Sequence, residues 1–469
     1  MSLWLRGLRR FVAGDVAPAP RSTAPTGLPA AARGPVLPTQ RGRVNFDAQA
    51  EAVELLRHTA HTDAETGLPN RRYFIARLAS ALGESSAGGR GLLLLRVLQL
   101  DGLALRVGDD AASRMLSVVA DLLTAYPLRV PGAFAGRLNR SDFALCLPAG
   151  GVADETAATL LRALRATPAA TSGAAELVVG GVDGLRGETV SRALAAADTA
   201  LAQAESAGPF CIEIHHAGSS DIAVQPMGER AWRVRIDEAL HEGRASLAEF
   251  PVLAHDGRLL HLECPLRVQL DVGGPFIEAR RWLPMAARGR LMPRVDLAAL
   301  DLALLAIARD AQPRSVHFSA ASLVTAGFVG AVQRRLEAAP EASARLCIEI
   351  ADGVALDRAL PRLREAAAAW RRHGVRLGVE HAGASVRGLS RLAGIGLDHV
   401  KIESRFVREA LNEPAVRAFA TGLVDLLHGM RLQAHAQGIA DAGELAALWS
   451  LGFDAATGPA VRLPPAPVS

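Results

Sequence analysis

The chain has 469 residues, half of them apolar, which is enough for about two or three domains with sizeable cores. Its formal net charge is only +4, aromatic residues make up 4%, and no Lys/Arg block is interleaved with aromatics, so nucleic-acid binding by base stacking is disfavoured. No run of 18 apolar residues free of charge occurs, so no membrane span is expected and the expected location is the cytoplasm.

The opening MSLWLRGLRRFV sets Trp4, Leu8, Phe11 and Val12 on one helical face beside Arg6, Arg9 and Arg10. That pattern suits an anionic surface, but the stretch is short and lacks a signal-peptide cleavage site. Residues 1–45, rich in Pro, Ala and Arg without periodicity, are expected to form a disordered tail. In 46–62, Ala50, Val53, Leu56 and Ala60 share one stripe, as in an amphipathic linker helix. The four cysteines, Cys146, Cys211, Cys264 and Cys347, show no CxxC spacing and sit mostly in apolar runs, which suits buried thiols in a reducing compartment.

From residue 63 to 214 the pattern alternates. HTDAETGLPNRRYFIARLASAL is a turn followed by a helix that buries Phe74 and Leu78; LLLLRVLQLDGL reads as a buried strand and ASRMLSVVADLL as a helix. GRLNRSDFALCLP reads as a hairpin and strand, ELVVGGVDG as a further strand, and VSRALAAADTALAQAESAG as a late helix. The TGLPNRR opening and this succession resemble GGDEF domains, the diguanylate cyclase fold. The resemblance implies an active loop Gly-Gly-Asp-Glu-Phe, where this chain has Asn139-Arg140-Ser141-Asp142-Phe143. Arg140 adds a side chain where the backbone must approach a nucleotide. Ser141 puts a neutral hydroxyl in place of a carboxylate ligand for a hard cation. The family's first metal-binding Asp falls at Gln99 or Arg96, with Asp101 nearby, and Val130-Pro131-Gly132-Ala133 stands where an inhibitory R-x-x-D would be. The resemblance therefore implies a non-catalytic domain.

Residues 215–231 are polar and turn-rich, and are expected to be a linker. His215 and His216 leave a strand toward opposite sides, which argues against a shared metal. From residue 232 to 469 short apolar runs end in polar residues, with helical segments between: HLECPLRV, SVHFSAASL, RLCIEIADG, RLGVEHAGA and LDHVKIESRF. These segments, with LQAHAQGIADAGELAALWSLGFDAATGP, resemble EAL domains, the barrel-shaped cyclic di-GMP phosphodiesterases. In a barrel of parallel strands the C-terminal ends open on one face, where the chemistry is placed. The expected fold is thus α/β in two domains, a GGDEF-type domain and an EAL-type (β/α) barrel. The pairing is similar to LapD-like cyclic di-GMP receptors, without their membrane half.

Carried over position by position, the resemblance keeps the name-giving Glu as Glu263 and the phosphate-meeting Arg as Arg267. The family's Asn ligand becomes His317, the next-strand Glu is Glu349, and a loop Glu is shortened to Asp352. The tandem Asp-Asp becomes Glu380-His381, the Lys is Lys401, and the Asp after it is Glu403. The family's catalytic Glu is Gln437, the guanine-reading Glu is Ala440, the Gln before Pro is Phe250, and a late Gln is Thr457. Glu263, His317, Glu349 and Glu380 suit one residual divalent cation, Mg or Mn, whereas the second metal loses its bridging Asp. Gln437 cannot take a proton, and losing a positioned base costs about 10²–10⁴-fold in rate. Arg267, with Glu263 and Lys401, is the candidate ligand set for cyclic di-GMP, with Phe250 or Trp282 as stacking partners. Equally, Glu263, Glu349 and Lys401 form a buried ion-pair cluster with no ligand. Three readings stay open: a silent receptor or scaffold with an unidentified protein partner, a weak phosphodiesterase, and an interaction module without nucleotide. By resemblance a homodimer is expected.

Overall fold

The computed structural model describes residues 61–83, 89–98, 100, 109–167, 176–217, 227–351, 354–382 and 392–463. The tail 1–45, nearly all of the linker helix 46–62, Gln99, Asp101, Asp352 and the His381 side chain lie outside the described residues. The chain divides into two compact units, Met1–Gly228 and Glu229–Ser469.

The first unit is built on five strands: β1 (Arg90–Leu98), β2 (Phe134–Arg137), β3 (Asp142–Leu147), β4 (Glu176–Leu185) and β5 (Ile212–His216), in sheet order β2-β3-β1-β4-β5. β1 runs antiparallel to both β3 and β4, while β4 and β5 are parallel. The unbroken run Leu92–Leu95 follows from burial on both faces. Leu93 and Leu95 pack with residues of the helices Asp109–Arg129 and Ala153–Arg165, whereas Leu92 and Leu94 pack with those of Arg71–Gly83 and Val190–Ala207. Gly180 is required where helix Val190–Ala207 crosses β4, because a Cβ there would meet the backbone of Leu201. β5 continues through His215 and His216, two residues into the stretch read as linker. Their partners lie apart, His215 bonding Gln203 at 2.7 Å and His216 pairing with Asp154 at 3.4 Å.

The second unit is a closed eight-stranded barrel. Its strands are β7 (Phe250–Ala254), β8 (Leu259–Glu263), β10 (Arg314–Phe318), β11 (Leu346–Ala351), β12 (Arg376–Ala382), β13 (His399–Ile402), β14 (Gln433–Gln437) and β15 (Ala455–Thr457). A two-stranded ribbon, β6 (Ala245–Leu247) with β9 (Leu266–Val268), stands beside it. The barrel is not wholly parallel, as the sequence suggested: β7 is antiparallel to both β15 and β8. The reason is local. A turn around Gly257, at φ +82°, joins β7 to β8, and so short a link permits only antiparallel pairing.

Candidate functional site

Near the C-terminal ends of β8, β10, β11, β12, β13 and β14 stand Glu263, His317, Glu349, Glu380, Lys401 and Gln437. Parallel pairing in register, with His317 opposite Glu349 and Lys401 opposite His435, brings these ends to one mouth. Lys401, fully buried, lies 2.6 Å from Glu349 Oε2 and 3.3 Å from Glu263 Oε2. His317 Nε2 stands 3.2 Å from Glu263, 3.3 Å from Glu349 and 3.4 Å from Glu380. It points a directed hydrogen bond at none of them, and so sits centrally among three carboxylates.

The electrostatics follow from burial and pairing. Burial works against the Glu263 carboxylate, but Lys401 and His317 outweigh it and hold its pKa down to about 2. Glu349 is opposed by burial in the same way and is held well below the ordinary range by Lys401, His317 and His399. Burial also opposes the charge of Lys401, yet Glu349 and Glu263 push its pKa above the usual lysine value. For His317, burial is overcome by Glu380, Glu263 and Glu349, which raise it well above the ordinary histidine value. The mouth thus carries its own cations.

The same donors suit a metal ion. Donor atoms around a tetrahedral ion bound at ~2.1 Å stand about 3.4 Å apart, close to the His317–carboxylate separations of 3.2–3.4 Å. One donor atom from each of Glu263, His317, Glu349 and Glu380 lies within 4.8 Å of the others. A divalent ion can take this place only by displacing the proton on His317.

The remaining expected residues are dispersed. Arg267 sits on β9, opposite Ser246, and makes no hydrogen bond or ion pair among the described residues. Gln437 ends β14 with its Oε1 buried and unpartnered among the described residues. Trp282 is corrected as a stacking candidate: it is 0% exposed, enclosed in the core, while Phe250 is 46% exposed and pairs in register with Glu263.

In the first unit, the rewritten loop is bound to itself. Asn139 Oδ1 accepts from the backbone N–H groups of Ser141 and Asp142 at 2.9 Å, Asn139 Nδ2 donates to Asp142 at 2.8 Å, and the Ser141 hydroxyl donates to Asp142 at 2.9 Å. Arg96, directly opposite on β1, clamps Asp142 through two parallel bonds of 2.7 and 2.5 Å. Burial opposes the Asp142 carboxylate, but Arg96 overrides it and lowers its pKa. Phe143 is fully buried in the core. The backbone of Asn139 and Arg140 is held by Arg137, which also pairs with Asp63 and Glu65 at 2.7 Å.

One layer deeper in the barrel lies a set of residues that reading the strand ends overlooked. Two positions before each mouth residue stand His261, Ser315, Cys347, Gly378, His399 and His435, and a strand's period of two turns each of them inward as well. His399 Nε2 donates at 2.8 Å to Glu349 Oε1, the carboxylate oxygen not bonded by Lys401. Its ring reaches Glu349 across Gly378, where any Cβ would fall inside the imidazole. The signal was present as H-x-E, C-x-E, H-x-K and H-x-Q.

A five-stranded sheet with a self-tied loop and an eight-stranded barrel with a charged mouth define a two-domain α/β protein. The GGDEF profile (diguanylate cyclase, GGDEF domain) matches residues 60–209 and the EAL domain profile matches residues 233–464. The chain belongs to the tandem GGDEF–EAL proteins. It is 24% identical over 416 residues to the RNase E specificity factor CsrD of Escherichia coli, covering 86% of this chain and 63% of that protein. It is likewise 24% identical over 436 residues to the cyclic di-GMP phosphodiesterase PdeB of Shewanella oneidensis, covering 88% and 49%. The chain therefore spans about half to two-thirds of these relatives. Among solved structures, the S helix-GGDEF-EAL portion of Vibrio cholerae LapD bound to c-di-GMP superposes with a TM-score of 0.76 at 19% identity, covering 89% of this chain and all of that one. Among the described residues, no helix is long and apolar enough to cross a membrane.

Proposed function

We propose that this chain is a catalytically silent GGDEF–EAL protein that binds cyclic di-GMP at the barrel mouth and relays its occupancy to a protein partner. One observation carries the reading: in both units a basic side chain of the protein itself stands on the carboxylates that would hold metal. Arg96 clamps Asp142, and His317 with Lys401 neutralises Glu263, Glu349 and Glu380. Two-metal hydrolysis needs those carboxylates for cations that clamp the phosphate and generate hydroxide. Gln437 offers no base in place of the family's Glu.

Recognition of the dinucleotide needs less. Arg267 has no partner among the described residues, and a guanidinium binds phosphate through two parallel N–H donors. Phe250, exposed beside the mouth, offers a face for a guanine. If a divalent ion is bound, Glu263, His317, Glu349 and Glu380 hold it, and it supplies Lewis-acid polarisation of a phosphate oxygen.

Calorimetry with cyclic di-GMP, with and without manganese, followed by chromatography of the ligand, tests the reading. The expected result is binding that manganese does not strengthen, with the dinucleotide recovered intact and binding abolished in Arg267→Ala. Linear product would make the chain a phosphodiesterase, and absence of heat would leave an interaction module without nucleotide. Either outcome overturns the proposal.

A further inference from the structure

The tier beneath the mouth has the composition of a metal site rather than of a barrel core, where bulky Val, Ile and Leu normally dominate. His399 and His435 stack with ring centroids 4.3 Å apart, and His261 lies 5.9 and 6.2 Å from them. All three are at most 3% exposed, and Cys347 is 1% exposed. The Cys347 sulfur, a Glu349 carboxylate oxygen and a His399 ring nitrogen lie within 4.8 Å of one another. His261 Nε2 stands 3.8 Å from Glu349 Oε1.

A second, independent observation points to a ligand. His261 Nε2, His435 Nδ1 and Ser315 Oγ are buried without a hydrogen-bond partner among the described residues. Native structures rarely leave such groups unmet.

We propose that this lower tier binds one transition-metal cation of the zinc or cobalt class, held by Cys347, the Oε1 side of Glu349 and His399, with His261 as fourth donor. The thiol proton of Cys347 leaves to solvent as the metal–sulfur bond forms, and the ion replaces the proton shared by His399 and Glu349. Thiolate and imidazole select a softer ion than the oxygen-rich mouth above. Glu349 then presents Oε1 to the lower ion and Oε2 to Lys401. The site does not depend on whether cyclic di-GMP binds.

The test is a cobalt(II) titration of the full chain after removal of metals by chelator. The expected result is one equivalent bound with a near-ultraviolet sulfur-to-cobalt charge-transfer band, displaced by zinc. The band is lost in Cys347→Ser, and cobalt affinity falls tenfold or more in His399→Ala. A band that survives Cys347→Ser places the ion on another thiol and overturns the proposal. So does the absence of a band in the unsubstituted chain, where buried water would then satisfy the orphaned nitrogens. That second outcome needs no variant to fold.

Discussion

Removing the Lys401 ammonium gives the most direct measure of how the mouth is balanced. Lys401 is fully buried, 2.6 Å from the equally buried Glu349 and 3.3 Å from Glu263. In Lys401→Met the methylenes stay and the charge goes, leaving two carboxylates that only His317, with His399 on Glu349, can answer. Breaking a buried pair by deleting one partner costs about 3–5 kcal/mol. The two histidines keep part of the compensation, so the lower end, about 3 kcal/mol, is expected. Neutralising the partner too, in Lys401→Met/Glu349→Gln, should recover about 2 kcal/mol relative to additivity. Urea unfolding followed by tryptophan fluorescence weights the barrel, because four of the five tryptophans, Trp232, Trp282, Trp370 and Trp449, belong to the second unit, and Trp4→Phe in the background removes the fifth. A loss below about 1 kcal/mol, or strict additivity in the cycle, would refute a mouth held together by its own cation.

Three further outcomes are expected. Gly378→Ala drives a methyl group into the His399 ring and should destabilise the barrel by about 1–3 kcal/mol, with a cost under about 0.5 kcal/mol in the same urea assay counting against the crossing. Asp296, buried in helix Met292–Asp310 and accepting from the Ser319 N–H at 2.8 Å, has its pKa pushed by burial from the ordinary 3.8 up to about 7. A folded pKa above the unfolded one gives stability that is full below 3.8 and lost as pH rises through about 7. Asp296→Asn should therefore gain on the parent by roughly 2–3 kcal/mol between pH 5 and pH 8, and a pH-independent difference would contradict the assignment. In the first unit, Arg140→Gly/Ser141→Asp restores the second glycine and the metal-binding carboxylate of the loop but leaves Arg96 on Asp142. GTP incubated with that variant should yield no cyclic di-GMP, and product would mean that the guanidinium does not close the site.

The elements that sequence made legible are those where one physical pressure dominates. Leu92–Leu95 reads as a strand because both faces are buried, and the helix Val190–Ala207 reads from its spaced apolar residues. The mouth residues were readable because each ends an apolar run, and Glu263, His317, Glu349, Glu380 and Lys401 do converge. The reversed direction of β7 was not, since alternation and apolarity look alike in parallel and antiparallel strands. Trp282 was misjudged for a related reason: an aromatic near a site is indistinguishable, in sequence, from one that packs behind it.

The lower tier escaped because burial in these strands was equated with apolarity. His261 stands among leucines, His399 before Val400, and His435 between two alanines, so nothing in each short run marks the three histidines as one set. Taking the residues two before each mouth position, instead of the run as a block, recovers the tier directly. It also changes what the mouth is. Glu349 has one oxygen on Lys401 and the other on His399, so its orientation is fixed from below as well as from above, and Gly378 is the position that lets His399 do so. At the mouth the Glu349 oxygen that would meet a metal is already engaged by Lys401, and an arriving ion would have to displace that ammonium. Restoring Gln437 to Glu would therefore return a base to the site without freeing Glu349.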